Sequence, residues 1–316
     1  MDKVHVIVNP FSARGKTRER WHLIREAIRS YFKEFRYVFT ERPKQATQIV
    51  RELLKDGFDL IIGVGGDGTL NEISNGFFRD DSPEQINDDA SLGIIPSGTG
   101  SDFIRFMRVP RDFKKSAENI KSSNKKRIDI GKISFTGPRR NEERKDQYFI
   151  NIADFGLGAE VIRNLSVSDP IKRGPLTYYK GLLKTILHYR SKKVKLSIDG
   201  GPEMERNLLI GAIANGRIFG GGMIIAPEAE IDDGYFDLVL VEDMKKFEII
   251  RNSRRLYSGT IHTHPKVSVI KARSIRVRPA DERNETDGVS VEYDGEVGEM
   301  LPAEFTIINR AINLRI

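Results

Sequence analysis

"DLIIGVGGDGTLNE", residues 59–72, sets an apolar run against four glycines and an aspartate. Gly63-Val64-Gly65-Gly66-Asp67-Gly68 satisfies G-x-G-x-x-G, the spacing of a dinucleotide-binding turn. Such a turn normally follows the first strand of its unit and needs an acidic residue about 20 positions on, ending the next strand. Here it follows a third strand, and the region beyond, "DDSPEQINDDA", is an acidic loop with no strand before it. Asp67 is more telling, because a carboxylate inside a phosphate-cradling turn repels phosphates unless a cation lies between them. With Mg²⁺ there, the amides of Gly65, Gly66 and Gly68 approach phosphate oxygens while Asp67 helps hold the metal. Thr69, Asn71 and Glu72 then open the next helix with polar groups toward the site. The stretch reads as a seat for a nucleoside triphosphate.

Outward from this loop, short β-rich runs alternate with helical ones. Val4–Val8, Arg36–Thr40, Leu60–Val64 and Leu92–Ile95 read as strands. Between them Arg18–Phe32, Lys44–Lys55 and Leu70–Phe78 read as helices, the first with Trp21, Ile24, Ile28 and Phe32 on one face. This order predicts a parallel sheet with helices on both faces and ligands at the strand C-terminal ends. After the basic, Ser-rich stretch Lys121–Arg127 the pattern changes. Segments 127–135, 147–153, 193–199, 207–214, 235–241, 266–278, 289–294 and 304–309 read as strands. They predict an antiparallel β-sandwich domain, with helical inserts near 172–190 and 245–257 and a hairpin tip at 136–147. The expected division is an α/β nucleotide-binding domain over 1–124 and a β-sandwich domain over 125–304. The segment 305–316 returns to the first domain, and the active site lies in the interdomain cleft.

Composition narrows the class. At 39% hydrophobic residues, 316 positions can bury two cores. No window approaches the roughly 18 apolar residues of a membrane span, and the N-terminus does not read as a signal peptide. The absence of cysteine excludes disulfides and thiolate metal sites and fits a cytoplasmic protein. The net charge of +7 suits nucleic acid, an anionic membrane surface or phosphorylated ligands. With one Trp and no nucleic-acid-binding motif, nucleic acid ranks last.

Other motifs gather around the same chemistry. "SARGKT" (12–17) ends like a P-loop, but Pro10 stands where its leading glycine belongs. Asn9-Pro10-Phe11-Ser12 still lies between a strand and a helix, as an anion-meeting turn or an ordinary one. "GIIPSGTGSDF" (93–103) is a second glycine turn at a strand end, a neighbour of the first on one rim, offering Ser97, Thr99 and Asp102. Asp294-Gly295-Glu296 follows an alternating strand, and its glycine permits a tight turn projecting two acids. His262-Thr263-His264 lacks a third ligand and reads as a loop.

"VNPFSARGK", "GVGGDGTLNEISNG" and "IIPSGTGSDF", in this order, resemble the diacylglycerol kinase catalytic family of bacterial lipid kinases, relatives of sphingosine and ceramide kinases. "NIADFGLGAEV" (151–161), "NGRIFGGGMIIAPEAEIDDGYFDLVLV" (215–241) and "VEYDGE" (291–296) extend the resemblance over nearly the whole chain. It implies an ATP site at Asn9, Pro10, Phe11, Ser12, Thr40, Gly65, Gly66, Asp67, Gly68, Thr69, Asn71, Glu72 and Thr99. It implies catalytic carboxylates at Asp294 and Glu296, with Asp67 assisting through Mg²⁺. A structural Mg²⁺ is implied at the Asp233 carboxylate and the main-chain oxygens of Glu230 and Tyr235. Two departures stand out: Ser101 replaces the family's usual Asn, and Phe11 and Arg14 are bulkier than its usual small residues.

The expected reaction is phosphoryl transfer from ATP to the primary hydroxyl of a lipid alcohol, diacylglycerol or similar. Asp294 is the first choice of general base and Glu296 its assistant or a metal binder, in roles that could be exchanged. In the basic segment 172–195, Leu176, Tyr179, Leu183, Ile186 and Leu187 share one helical face, and Lys180, Lys184 and His188 form a cationic stripe. The segment suits either an inward-packed helix or peripheral docking on an anionic membrane, the latter slightly favoured by a membrane-embedded substrate. The competing functions are a NAD kinase-like phosphotransferase and a catalytically silent nucleotide- or lipid-binding regulator. A homodimer is left open.

Overall fold

The computed structural model describes residues 2–80, 82–98, 101–136, 146–167, 184–281 and 288–316. The first lobe runs β1 (Val4–Val8), α1 (Lys16–Glu19), α2 (Trp21–Arg29), β2 (Arg36–Phe39), α3 (Gln45–Lys55), β3 (Leu60–Gly65), α4 (Asp67–Asn75), β4 (Ser91–Pro96), α5 (Asp102–Phe106) and α6 (Phe113–Ser122). Strands β2, β1, β3 and β4 are parallel neighbours in that order. Their continuous apolar sequences reflect burial on both faces. In β3, Leu60, Ile62 and Val64 join the core under α2 and α6, while Ile61 joins the core under α3 and α4. Helix α3 is buried at Ala46, Val50 and Leu54, spaced by four as one inward stripe requires. Val50 and Leu54 each contribute about 1.5–3 kcal/mol by leaving water.

The second lobe comprises β5 (Lys126–Phe135), β6 (Gln147–Phe149), β7 (Ile152–Gly156), α7 (Leu157–Val167), β8 (Lys192–Ile198), β9 (Met204–Ala214), β10 (Ile218–Phe219), β11 (Met223–Ile224), β12 (Phe236–Glu242), α8 (Lys246–Ser258), β13 (Val267–Ala272), β14 (Ser274–Pro279), β15 (Ser290–Tyr293), β16 (Glu296–Met300) and β17 (Ala303–Arg315). It is antiparallel and sandwich-like, so the chain combines an α/β lobe with a β lobe, as the element order implies. Strand β17 joins them. It starts antiparallel to β14 and β5, and its last residues, Asn313 to Arg315, run parallel to β4.

Two segments that read as single strands are broken. The 266–278 run changes partners at Arg273, where the Asp199 carboxylate accepts the N–H groups of Arg273 and Ser274 at 2.8 and 2.7 Å. The 147–153 run is interrupted between β6 and β7, where three successive N–H groups turn away from the ladder. Most of the 136–147 tip and of the 172–190 insert lies outside the described residues; residues 184–188 are helical.

Candidate active site

The two glycine turns touch. A side chain at Gly98 would bring its Cβ to 2.6 Å from the Gly66 Cα, and one at Gly65 would collide with Thr69. Close approach, not left-handed backbone, is what these glycines provide. Asp67, in the first turn of α4, stitches the turns together: its Oδ2 accepts the N–H groups of Ser101 and Asp102, both at 2.9 Å. Its Oδ1 is buried and finds no hydrogen-bond partner among the described residues, whereas Asp102 Oδ1 faces the Arg105 guanidinium at 3.6 Å. Burial raises the Asp67 pKa above its usual value, aided by the Asp102 charge and opposed by the amides. A buried carboxylate oxygen left without a hydrogen bond suits a divalent cation, so Asp67 fits the expected Mg²⁺. Ser101 holds φ at +125°, a strained value for a residue with a side chain.

The Asn-Pro turn lies on the same rim. The Asn9 amide donates to the Thr69 hydroxyl at 3.0 Å, and its Oδ1 accepts the Phe11 N–H at 3.0 Å. Pro10 is buried and Phe11 is exposed. Ser12, Thr17 and Ser97 form a hydroxyl chain, with contacts of 2.5 and 2.6 Å, that joins this turn to the second glycine turn. Thr17 closes the incomplete P-loop, and that motif is the sequence signal for it. Thr40 is buried at the end of β2, its N–H on the Val8 carbonyl at 2.9 Å. Glu72 turns toward α3, where its Oε2 accepts the Ala46 N–H at 3.2 Å. Thr99 lies outside the described residues.

The acidic turn of the second lobe arrives beside this rim. Asp294 and Gly295 form a two-residue hairpin between β15 and β16 with φ of +48° and +86°, the geometry for which Asp-Gly is suited. Glu296 is exposed, and its Oε1 would lie 3.7 Å from a Cβ built on Gly68. The Asp294 carboxylate accepts four hydrogen bonds. Oδ2 takes the Asn71 side-chain amide at 3.0 Å and the Ile150 N–H at 2.8 Å. Oδ1 takes the N–H groups of Asn151 at 3.0 Å and Ile152 at 3.1 Å. These three amides are the ones that break the strand between β6 and β7, and no local pattern marks them as an anion-binding nest. Burial raises the Asp294 pKa to about 6 against the pull of those donors.

Below the hairpin, Asp154 and Glu292 face each other in register on β7 and β15, both buried. Asp154 accepts the Ala159 N–H at 2.8 Å, and Glu292 accepts the Gly295 N–H at 3.0 Å. Burial raises both pKa values, and the Asp154 charge raises that of Glu292 further. Acids inside the apolar runs "NIADFGL" and "VSVEYDGE" were the available signal for this pair.

At the expected structural metal site the carboxylate has protein partners. Asp233 accepts the Tyr235 N–H at 2.9 Å and the Lys271 ammonium at 2.7 Å, and Lys271 also pairs with Asp237 at 2.8 Å. Glu230 is exposed, and the Tyr235 hydroxyl accepts from Arg273 at 2.9 Å. Among the described residues no group of three or more His, Asp or Glu side chains is disposed to hold a metal. As the chain stands, the Lys271 ammonium is the cation paired with the Asp233 carboxylate.

An α/β lobe whose glycine turns meet an acidic hairpin from a sandwich-like lobe defines a kinase-type phosphotransferase fold. Residues 3–133 match the diacylglycerol kinase catalytic domain, and residues 152–316 match the YegS C-terminal NAD kinase beta sandwich-like domain. The chain belongs to the diacylglycerol kinase family of bacterial lipid kinases. It is 28% identical to a diacylglycerol kinase of Bacillus subtilis over 99% of this chain and 96% of that one. It is 31% identical to a diacylglycerol kinase of Staphylococcus haemolyticus over 87% of this chain and 76% of that one. A crystal structure of a diacylglycerol kinase from Bacillus anthracis shares the fold, with a TM-score of 0.70 at 22% identity over 99% of this chain and 96% of that one. Membership in a kinase family implies use of a nucleotide. No helix among the described residues is long and apolar enough to cross a membrane.

Proposed function

We propose that this chain is an ATP-dependent lipid kinase that phosphorylates the primary hydroxyl of diacylglycerol or a similar lipid alcohol. The observation that carries the reading is the meeting of Asp294 with the first turns of α4, through Asn71. The glycine amides and Thr99 position the triphosphate, with Asn9 to Ser12 and Thr40 along the same rim. Mg²⁺, when bound, would neutralise triphosphate charge, and Asp67 would hold it.

Asp294 is the general base. A carboxylate offers about four acceptor directions, and all four are in use. Of its donors, the Asn71 amide comes from α4 and the rest from residues 150–152, so a shift between the lobes frees Oδ2 first. The acceptor hydroxyl then gives its proton to Oδ2 while its oxygen bonds to the γ-phosphorus. The bond from that phosphorus to the β–γ bridging oxygen breaks, and ADP leaves. Glu296 assists from above Gly68 or helps hold the metal. The enzyme works from the cytoplasmic side, with the basic segment 172–195 on an anionic membrane surface.

The test is a screen of lipid alcohols and NAD with radiolabelled ATP, with products read by mass spectrometry. Labelled phospholipid monoester from diacylglycerol or a relative supports the reading. Labelled NADP, or nucleotide binding without turnover on any acceptor, refutes it.

A further inference from the structure

Helix α8 packs on the second lobe through one side only. Ile249 and Leu256 lie against the core that contains Val239, Val241 and Ile261, and Asn252 is buried between them. The opposite side carries Phe247, Ile250, Arg251, Arg254 and Tyr257, at helical steps of three and four. Phe247 is 63% exposed, Tyr257 60% and Ile250 45%. The Arg251 guanidinium lies over the Phe247 ring, 5.9 Å from its centroid. Single exposed apolar residues are ordinary, but two aromatics and an isoleucine in one row with two arginines are not. Apolar and aromatic bodies that reach the acyl boundary, with guanidinium groups at phosphate level, are what an interfacial helix presents.

The face is also well placed. At its C-terminal end Gly259 packs on Ile224 of β11, and in the same hairpin the Gly221 N–H donates to Asp102 at 2.7 Å. At its N-terminal end the Lys246 ammonium donates to the Tyr189 carbonyl, inside the basic segment 172–195. The row thus runs from that segment toward the glycine turns.

We infer that the Phe247, Ile250, Arg251, Arg254 and Tyr257 face of α8 docks on an anionic phospholipid leaflet. Charge selects this occupant: the arginines and the net charge of +7 favour lipid phosphates. A two-fold pairing of copies through this face would set like charges against each other. The purpose of docking, presenting the cleft to a membrane-embedded alcohol, rests on the lipid kinase reading; the binding itself does not.

The test is co-sedimentation with vesicles of phosphatidylglycerol and phosphatidylcholine in equal parts, against phosphatidylcholine alone. Arg251→Glu with Arg254→Glu is expected to weaken partitioning onto the anionic vesicles by about thirtyfold or more. Phe247→Ser with Tyr257→Ser should weaken it on both vesicle types. Thermal melting and phosphorylation of a short-chain acceptor in free solution should stay at wild-type levels for both. A complementary probe, Phe247→Trp in a Trp21→Phe background, should show blue-shifted emission with anionic vesicles. Wild-type partitioning by both double variants overturns the inference. So does a dimer in solution that either variant dissolves while vesicle binding persists. Loss of vesicle binding in the variants of a protein that phosphorylates no lipid alcohol would uphold docking and remove the kinase reading.

Discussion

Asn71 donates its side-chain amide to the Asp294 carboxylate at 3.0 Å, across 223 residues of chain. The same amide reaches the Tyr148 carbonyl at 2.9 Å, so one side chain ties α4, β6 and the acidic hairpin. This contact makes the glycine loop and the proposed base parts of one site.

Replacing Asp294 by Asn should lower kcat by at least about 10²-fold while ATP still binds. The variant should also melt earlier, because an amide nitrogen would face N–H groups that now donate, at about 1–3 kcal/mol. Calorimetric ATP titration beside steady-state kinetics separates the effects. Unchanged turnover would remove Asp294 from the mechanism, and a larger loss in Glu296→Gln would exchange the two roles.

Activity should depend on the ionised form of Asp294. With the pKa raised to about 6, log kcat/KM is expected to climb with pH through that region and then level. Asn71→Ala removes a hydrogen bond that favours the charged form, so the ascending limb should move to higher pH. A pH–rate profile that does not move would break this link.

The facing Asp154 and Glu292 should make stability fall as pH rises. Their folded-state pKa values are raised by burial, so the folded chain keeps a proton that the unfolded chain releases. Their contribution is full below the ordinary carboxylate range and is lost as pH rises toward the folded values. Glu292→Gln keeps the size of the side chain and removes one of the two titrating groups. Its melting temperature between pH 5 and pH 8, on the order of those limits, should vary less than the wild type's.

Gly98→Ala should push the two glycine turns apart, since the new methyl meets the Gly66 backbone. A loss of about 1–3 kcal/mol in stability and a raised KM for ATP are expected. Wild-type ATP affinity would show that the close approach serves folding alone.

Lys271→Gln removes the cation shared by Asp233 and Asp237. Because the lysine is partly exposed, the loss should be roughly 1–2 kcal/mol. Millimolar Mg²⁺ should restore melting in the variant more than it raises the wild type. Equal response of both proteins would show that lysine and metal do not compete for this pocket.

What the chain declares on its own is whatever is local. The apolar run before Gly65, the inward stripe of α3 and the Asp294-Gly295 turn are set by neighbours a few residues apart, and each was legible. The four donors of Asp294, the capture of Asp67 by the Ser101 and Asp102 amides and the pairing of Lys271 with Asp233 join segments distant in sequence. Only the folded chain decides such contacts, because buried carboxylates take whichever donors the packed strands bring within reach.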